Sequence, residues 1–160
     1  MEFVTARLRS RRVRALALSG AILALGAVPA VAATSGLYRG KTSQGHRVSL
    51  RVVGSQIRRF SIIWDAQCKG ITQPLAGLST YQLGIAIRRN AWATSGKYSA
   101  PSGNGYTEYF AVKDHGKFVS KTAATGVFTG IVRVYTTGKQ PKFVTSCQSR
   151  TITFKLKRVA

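Results

Sequence analysis

The chain has 160 residues, and 25 lysines and arginines against four aspartates and glutamates give it a formal net charge of +21. A length of this order suits a single domain, and 44% hydrophobic residues with only four prolines favour a folded core over a disordered chain. Acid–base catalysis relies mainly on histidines and carboxylates, so two histidines and four acidic residues disfavour an enzyme.

Residues 1–33 have the layout of a secretory signal. Five arginines lie within residues 7–14, the 19 residues 15–33 carry no charge, and the segment ends in the small residues Ala30-Val31-Ala32-Ala33. This order predicts a signal peptide cleaved after Ala32 or Ala33, with the twin-arginine route a less favoured alternative at Arg11-Arg12. The uncharged stretch is also long enough for an uncleaved anchor. Under either interpretation residues 34–160 are expected outside the membrane, secreted or in the cell envelope.

Residues 34–160 are predicted to form one domain, and the basic charge belongs to it. Without residues 1–33 the chain loses five arginines and Glu2, so 20 basic residues remain against three acids, a net charge of +17. Both cysteines, Cys68 and Cys147, lie in this domain. In an exported chain, two cysteines most simply form one disulfide bond, with a free catalytic thiol as the less favoured alternative.

Strand signals follow one another along the domain, whereas helix signals are almost missing. Apolar and polar residues alternate with a period of two, and glycine-containing turn sequences separate the alternating segments. The predicted strands lie near residues 37–43, 46–53, 57–64, 81–88, 106–113, 117–122, 126–135, 143–147 and 151–157. Many short strands without crossover helices predict an all-β fold, either a single antiparallel β-sandwich or a small β-barrel.

The second and third predicted strands form a hairpin whose register can be derived from the apolar pattern. A two-residue turn, Gly54-Ser55, would place Val52 opposite Ile57 and an arginine opposite Leu50. A three-residue connection, Gly54 to Gln56, instead pairs apolar residues throughout and is therefore favoured. It predicts three opposed pairs, Leu50 with Phe60, Val48 with Ile62 and His46 with Trp64.

The other side of this hairpin carries Arg47, Arg51 and Arg59, with Arg51 directly opposite Arg59. Like charges opposed across a ladder destabilise it by roughly 0.2–1 kcal/mol unless an anion lies between them. The three arginines are therefore the candidate anion-binding residues. The alternative is that they extend into solvent and only keep the strand soluble.

Candidate catalytic groups are few. His46 is expected at the inner face or end of the hairpin, beside Trp64, and Asp114-His115-Gly116 is interpreted as a tight turn in which neighbouring side chains diverge. The three acids of the domain are expected to be paired with cations, and the spacing of histidines, cysteines and acids predicts no metal site and no cofactor. Trp92 and Tyr98 lie in a less regular segment and are the aromatic residues expected to be exposed.

Several short motifs carry a resemblance. They are Thr42-Ser43-Gln44-Gly45 before a strand, Gly116-Lys117-Phe118-Val119-Ser120, Ala124-Thr125-Gly126, and Cys147 before the last strand. In these features residues 36–158 resemble a group of small exported all-β proteins of actinobacteria and their relatives, a group without an established activity. The resemblance implies a signal peptide, an all-β domain and a bridge between Cys68 and Cys147.

Together these observations predict an exported, non-catalytic β domain that binds an anionic polymer or a membrane surface through a basic face. A net charge of +17 raises the encounter rate with polyanions. One alternative is a small secreted hydrolase in which His46 or His115 works with Asp65, Glu108 or Asp114. The other is a structural module whose charge only provides solubility.

Overall fold

The computed structural model describes residues 33–70, 72 and 74–159, so the predicted signal peptide lies outside the described residues except for Ala33. Within these residues the chain forms β-strands and no helix, which confirms the all-β prediction. The strands are β1 (Gly36–Thr42), β2 (Arg47–Val53), β3 (Gln56–Cys68), β4 (Leu75–Ala86), β5 (Ala91–Pro101), β6 (Tyr106–Ser120), β7 (Ala123–Thr136), β8 (Phe143–Gln148) and β9 (Ile152–Arg158). The described part of the chain contains no helix of the length and hydropathy that crossing a bilayer requires.

All strand pairs are antiparallel and belong to one sheet. The hydrogen-bonded order is β4-β3-β2-β1-β9-β7-β6-β5, and β8 pairs with both β3 and β7. Because β8 bridges β3 and β7, the strands β3, β2, β1, β9, β7 and β8 form a closed circuit of paired neighbours. The sheet therefore curls into a barrel-like form, with one side of each strand facing the enclosed core.

The core consists of the inward-facing residues of this curled sheet. Phe60, Phe110, Phe128 and Phe154 are buried, as their alternating positions predict. Trp64 packs against Phe128, with ring centroids 5.2 Å apart. Burying aromatic side chains of this size is a main source of folding free energy in a small domain.

At two positions in the strands, an aromatic ring packs so closely against the backbone that only glycine fits. A Cβ atom at Gly130 would come within 2.4 Å of the Trp64 ring, and one at Gly116 within 2.3 Å of the Trp92 ring. Any larger residue at either position would displace the ring or the strand. Gly116 therefore has a packing role.

The predicted turn at Asp114-His115-Gly116 is wrong, because β6 runs through these residues as one strand and pairs continuously with β5. The expected exposure of Trp92 and Tyr98 is also wrong. Both lie on β5, where Trp92 is 3% exposed and Tyr98 is half-buried with its ring stacked on Phe110. Serine, threonine and glycine between these aromatic residues weaken the alternation of β5, and packing against β6 compensates for the weak local signal.

The β2–β3 hairpin combines the two registers that the sequence allowed. The turn itself has two residues, with Val53 opposite Gln56 and Val52 opposite Ile57, so the predicted three-residue connection is wrong. A bulge at the unpaired Arg58 then shifts the register. Beyond it Leu50 pairs with Phe60, Val48 with Ile62 and Arg51 with Arg59, as predicted.

Cys68 and Cys147 form a disulfide bond, as predicted, and lie opposite each other on β3 and β8. The bond joins positions 79 residues apart. It fastens the short strand β8 to the end of β3, where the circuit of strands closes. A structural disulfide of this kind is typical of proteins that fold in an oxidising compartment.

Candidate anion-binding face

Eight of the exposed basic residues on the outward side of the curled sheet lie on β6 and on the consecutive strands β3, β2, β1 and β9. The side chains at alternate positions of β1, β2, β3, β6 and β9 point away from the core, and these positions are rich in lysine and arginine. We call this surface the basic face. It consists of Arg39 and Lys41 on β1, Arg47 and Arg51 on β2, Arg59 on β3, Lys117 on β6, and Lys155 and Lys157 on β9.

Strand pairing places these cations in rows across the sheet. Lys41 lies opposite Arg47 on one side and opposite Lys155 on the other. Neighbouring strands are ~4.8 Å apart, so three backbone positions with positive side chains fall within roughly 10 Å. A second row contains Arg39, which lies opposite Lys157.

The predicted opposition of Arg51 and Arg59 forms the third row. The guanidinium of Arg59 lies over the ring of Tyr81 on β4, with 5.0 Å between the guanidinium carbon and the ring centroid. This cation–π contact holds one side chain of the pair and leaves its nitrogen atoms available for an anion. Arg51, Arg59 and Tyr81 border a shallow cavity of about 230 Å³ together with Leu37, Ser49 and Ser61.

The acidic residues of the described chain do not neutralise this face. Asp114 is buried on the inner side of β6, and Glu108 shares that side. Asp65 is hydrogen-bonded to His46, which makes an ion pair only when the imidazole is protonated, and among the described residues no acid forms a recorded ion pair with a lysine or arginine. The sequence-based expectation that the acids pair with lysines or arginines is therefore wrong. The cations of the basic face repel one another without a carboxylate between them, and this repulsion favours the binding of external anions.

The predicted pairing of His46 with Trp64 is not formed, because β2 begins only at Arg47. The imidazole instead extends to the neighbouring Asp65, with 2.8 Å between His46 Nε2 and Asp65 Oδ2. The other carboxylate oxygen accepts a hydrogen bond from the backbone amide of Gly77. Desolvation raises the pKa of Asp65, but the hydrogen bonds from His46 and Gly77 outweigh it, so the pKa lies below its ordinary value.

The side chain of Gln44 binds the backbone of Asp65 and connects the segment before β2 to β3. Its side-chain amide donates to the backbone carbonyl of Asp65 and accepts from the backbone amide of the same residue, at 3.1 and 2.9 Å. The amide thus takes the place of a strand partner along this part of β3. The His46–Asp65 pair adds a second connection between the same two segments, which is a structural use of both side chains.

His115 and Asp114 diverge, as expected for neighbouring residues, although they belong to a strand. His115 is exposed on the outer side of β6, whereas Asp114 is buried and accepts a 2.9 Å hydrogen bond from the indole of Trp92. Burial raises the pKa of Asp114 to about 7, against the lowering effect of hydrogen bonds from Trp92 and Gln82. Among residues 33–159, as far as they are described, no three histidines, cysteines or acids cluster as metal ligands would.

The structure brings the three predicted arginines together with five further lysines and arginines that the hairpin pattern does not identify. Arg47, Arg51 and Arg59 are local to one hairpin, and their spacing could be derived from it. Lys155 and Lys157 reach the face only because β9 pairs with β1. In the sequence, both lysines occupy the polar positions of an alternating strand. This pattern predicts that they point outward, but it does not predict which strands lie beside them.

Comparisons with known protein families, with curated proteins and with solved structures find no match for this chain. The resemblance to small exported all-β proteins therefore stays an expectation from the sequence motifs.

Proposed function

We propose that this protein is an exported, non-catalytic domain that binds an anionic polymer of the cell envelope or its surroundings through the basic face. One observation carries the proposal. Eight exposed lysines and arginines occupy outward positions of β6 and of the consecutive strands β3, β2, β1 and β9, without a carboxylate partner in the described chain. Such a surface creates a local positive potential that mobile counterions screen but do not remove.

The arrangement favours a polymer over a single small anion. A small anion would need convergent donors in an enclosed pocket, whereas these cations are spread over rows of an open sheet. A polyanion gains from each row at once, because every contact releases counterions without a further loss of translational freedom. Arg59 is held over the ring of Tyr81 and lies opposite Arg51, which gives this surface one position where a cation is fixed by a neighbouring side chain.

The proposed export agrees with two features of the chain. Residues 1–33 have the composition of a signal peptide, and the disulfide bond between Cys68 and Cys147 is of the kind that persists in oxidising surroundings. Outside the membrane the available polyanions include wall polymers and acidic polysaccharides.

The hydrolase alternative has one observation in its favour, the 2.8 Å contact between His46 and Asp65. Nucleophilic hydrolysis also needs a hydroxyl or thiol within hydrogen-bond reach of the imidazole. Among the described residues, the recorded hydrogen bond of the imidazole is with Asp65. Gln44 and Gly77 bind the same aspartate, which supports the structural role that the proposal gives to this pair.

The experiment compares two double variants of equal net charge. The test variant is Arg51→Gln/Arg59→Gln on the basic face, and the control is Arg88→Gln/Arg150→Gln, which removes two exposed arginines elsewhere. Binding to dextran sulfate and to long-chain polyphosphate is measured by titration calorimetry over a range of salt concentrations. We expect the test variant to bind about tenfold more weakly at low salt, with a salt slope smaller by about two ions, and the control to stay within about twofold of wild type.

Equal losses in both variants would mean that only net charge matters, and the basic face would then not be a site. Wild-type protein that binds neither polymer at low salt would refute the proposal altogether. Thermal unfolding of each variant ensures that a loss of binding is not a loss of structure.

A further inference from the structure

A second concave surface lies on the outer side of β5, β6 and β7, away from the basic face. It is a cleft of about 750 Å³, and Pro141, in the segment that follows β7, is one of its lining residues. Clefts of this size accommodate ligands of a few rings. We call it the tyrosine cleft, after two of its lining residues, Tyr109 and Tyr135.

The aromatic rings of this cleft form a corner. Tyr109 and Tyr135 meet edge to face, with 5.4 Å between ring centroids and 84° between ring planes. Phe143 on β8 packs against Tyr135 in the same manner at 5.6 Å. Tyr109 is 47% exposed and Phe143 is 58% exposed, so a large aromatic area faces solvent at one location. Exposed aromatic clusters on a folded domain mark binding sites more often than isolated exposed residues do.

Cations and hydroxyl groups border the same rings. Tyr109 lies opposite Arg133 on β7 and opposite Ser99 on β5. Lys97 lines the cleft two residues before Ser99. Glu108 occupies the opposite side of β6, so the lining residues include two cations and no acid. A ligand here needs a flat apolar surface for the tyrosines, a negative group for Arg133 or Lys97, and hydroxyl groups for Ser99 and the phenols.

We infer that the tyrosine cleft binds an acidic oligosaccharide, in which sugar rings carry carboxylate groups. A sugar ring presents C–H bonds on its face and hydroxyl groups around its edge, which matches one stacked tyrosine with polar groups beside it. The carboxylate of a uronic acid can accept two hydrogen bonds from the guanidinium of Arg133. The inference is independent of the basic face, because none of the eight residues of that face lines this cleft.

The corner geometry is the reason for preferring a saccharide to a single-stranded nucleic acid. A nucleic-acid groove stacks successive bases on successive aromatic side chains. Tyr109 and Tyr135 are nearly perpendicular, so two bases stacked on them could not stay parallel to each other. Sugar rings joined by glycosidic bonds carry no such requirement, since each ring has its own orientation.

The test uses the full exported domain, residues 34–160, with its disulfide bond intact. Binding of a tetramer of galacturonic acid is measured by calorimetry and by tyrosine fluorescence, beside the corresponding neutral tetramer of galactose and a short oligothymidylate. We expect measurable binding of the acidic tetramer and at least about tenfold weaker binding of the neutral one, because the charged hydrogen bonds to Arg133 are lost. Tyr109→Ala and Arg133→Gln should each weaken binding of the acidic tetramer by about tenfold.

Two matched variants serve as controls. Tyr106→Ala removes a tyrosine from the same strand outside the cleft lining, and Arg88→Gln removes an exposed arginine that belongs to neither the cleft nor the basic face. Both should bind the acidic tetramer within about twofold of wild type. Absence of binding by wild type, or equal losses in Tyr106→Ala and Tyr109→Ala, would overturn the inference. Tighter binding of the oligothymidylate would also overturn it, in favour of a nucleic-acid site. Weaker binding of the acidic tetramer in Arg51→Gln, with Tyr109→Ala and Arg133→Gln unchanged, would overturn the cleft and leave the basic face as the site.

Discussion

Replacing Asp114 with asparagine is expected to stabilise the protein at neutral and alkaline pH. Asp114 is 2% exposed on the inner side of β6, and its Oδ1 accepts a hydrogen bond from the Trp92 indole. Gln82 also interacts with this carboxyl group and lowers its pKa, but the contact is not a well-formed hydrogen bond, and Asp114 Oδ2 and the Gln82 side-chain amide are both buried. Asparagine keeps an oxygen acceptor for the indole but cannot ionise. Asp114→Asn therefore removes the titration with little change in shape.

The size of the effect follows from the pKa of this carboxyl group. Burial raises it to about 7 in the folded protein, whereas a free aspartate titrates near 3.8. Between these values the folded protein holds a proton that the unfolded chain has released, so the free energy of unfolding falls as the pH rises. A difference of about three pKa units corresponds to roughly 4 kcal/mol. This stability is fully present below about pH 4 and is lost as the pH rises through about 7.

The assay is urea unfolding followed by tryptophan fluorescence, at several pH values from about 4 to about 8. We expect the variant to match wild type within about 1 kcal/mol at the acidic end and to exceed it by on the order of 4 kcal/mol at the alkaline end. Burial also raises the pKa of Glu108, which adds a fall of the same sign to both proteins. Glu108→Gln on the same strand is therefore the control. Parallel stability curves for wild type and Asp114→Asn would refute the argument that a buried charge is responsible.

Two further predictions concern the packing and the closure of the sheet. Gly130→Ala places a Cβ atom within 2.4 Å of the Trp64 ring and is expected to lower the free energy of unfolding by about 1–3 kcal/mol in urea. Gly96→Ala is the matched control, because its nearest contact would be 3.7 Å away, and no loss is expected; equal losses in both variants would contradict the packing argument. Replacing both Cys68 and Cys147 with serine opens a loop of 79 residues and is expected to lower the stability by about 2–5 kcal/mol, measured in the same way. An unchanged midpoint and slope would show that β8 is held to β3 without the disulfide bond.

Local alternation was sufficient to predict most of the strands and the inward phenylalanines. A period of two is a property of neighbouring residues, so segments such as 151–157 can be assigned without knowledge of their partners. The opposition of Arg51 and Arg59 was predictable for a related reason, because a short hairpin fixes which residues face each other. The disulfide bond could be predicted without knowledge of the fold, since the chain has only two cysteines.

The course of β6 could not be predicted from the same signals. Asp114-His115-Gly116 has the composition of a turn, yet Gly116 lies under the ring of Trp92 on the neighbouring strand. A glycine required for a turn and a glycine required for a close contact look the same in a sequence. Only the position of the aromatic ring, 24 residues away along the chain, distinguishes them.

The amino-acid sequence by itself determined that this is a basic, alternating, disulfide-bonded β domain, because charge, periodicity and cysteine number are local or additive properties. The tertiary structure alone decided where the charges meet. Lys41 and Lys155 are 114 residues apart in the chain and become neighbours because β1 pairs with β9. The pairing of Tyr109 with Arg133 in the tyrosine cleft likewise depends on the register of β6 and β7. A shift of one residue in either register would turn the same side chains toward the core, so the choice belongs to the packing of the whole sheet.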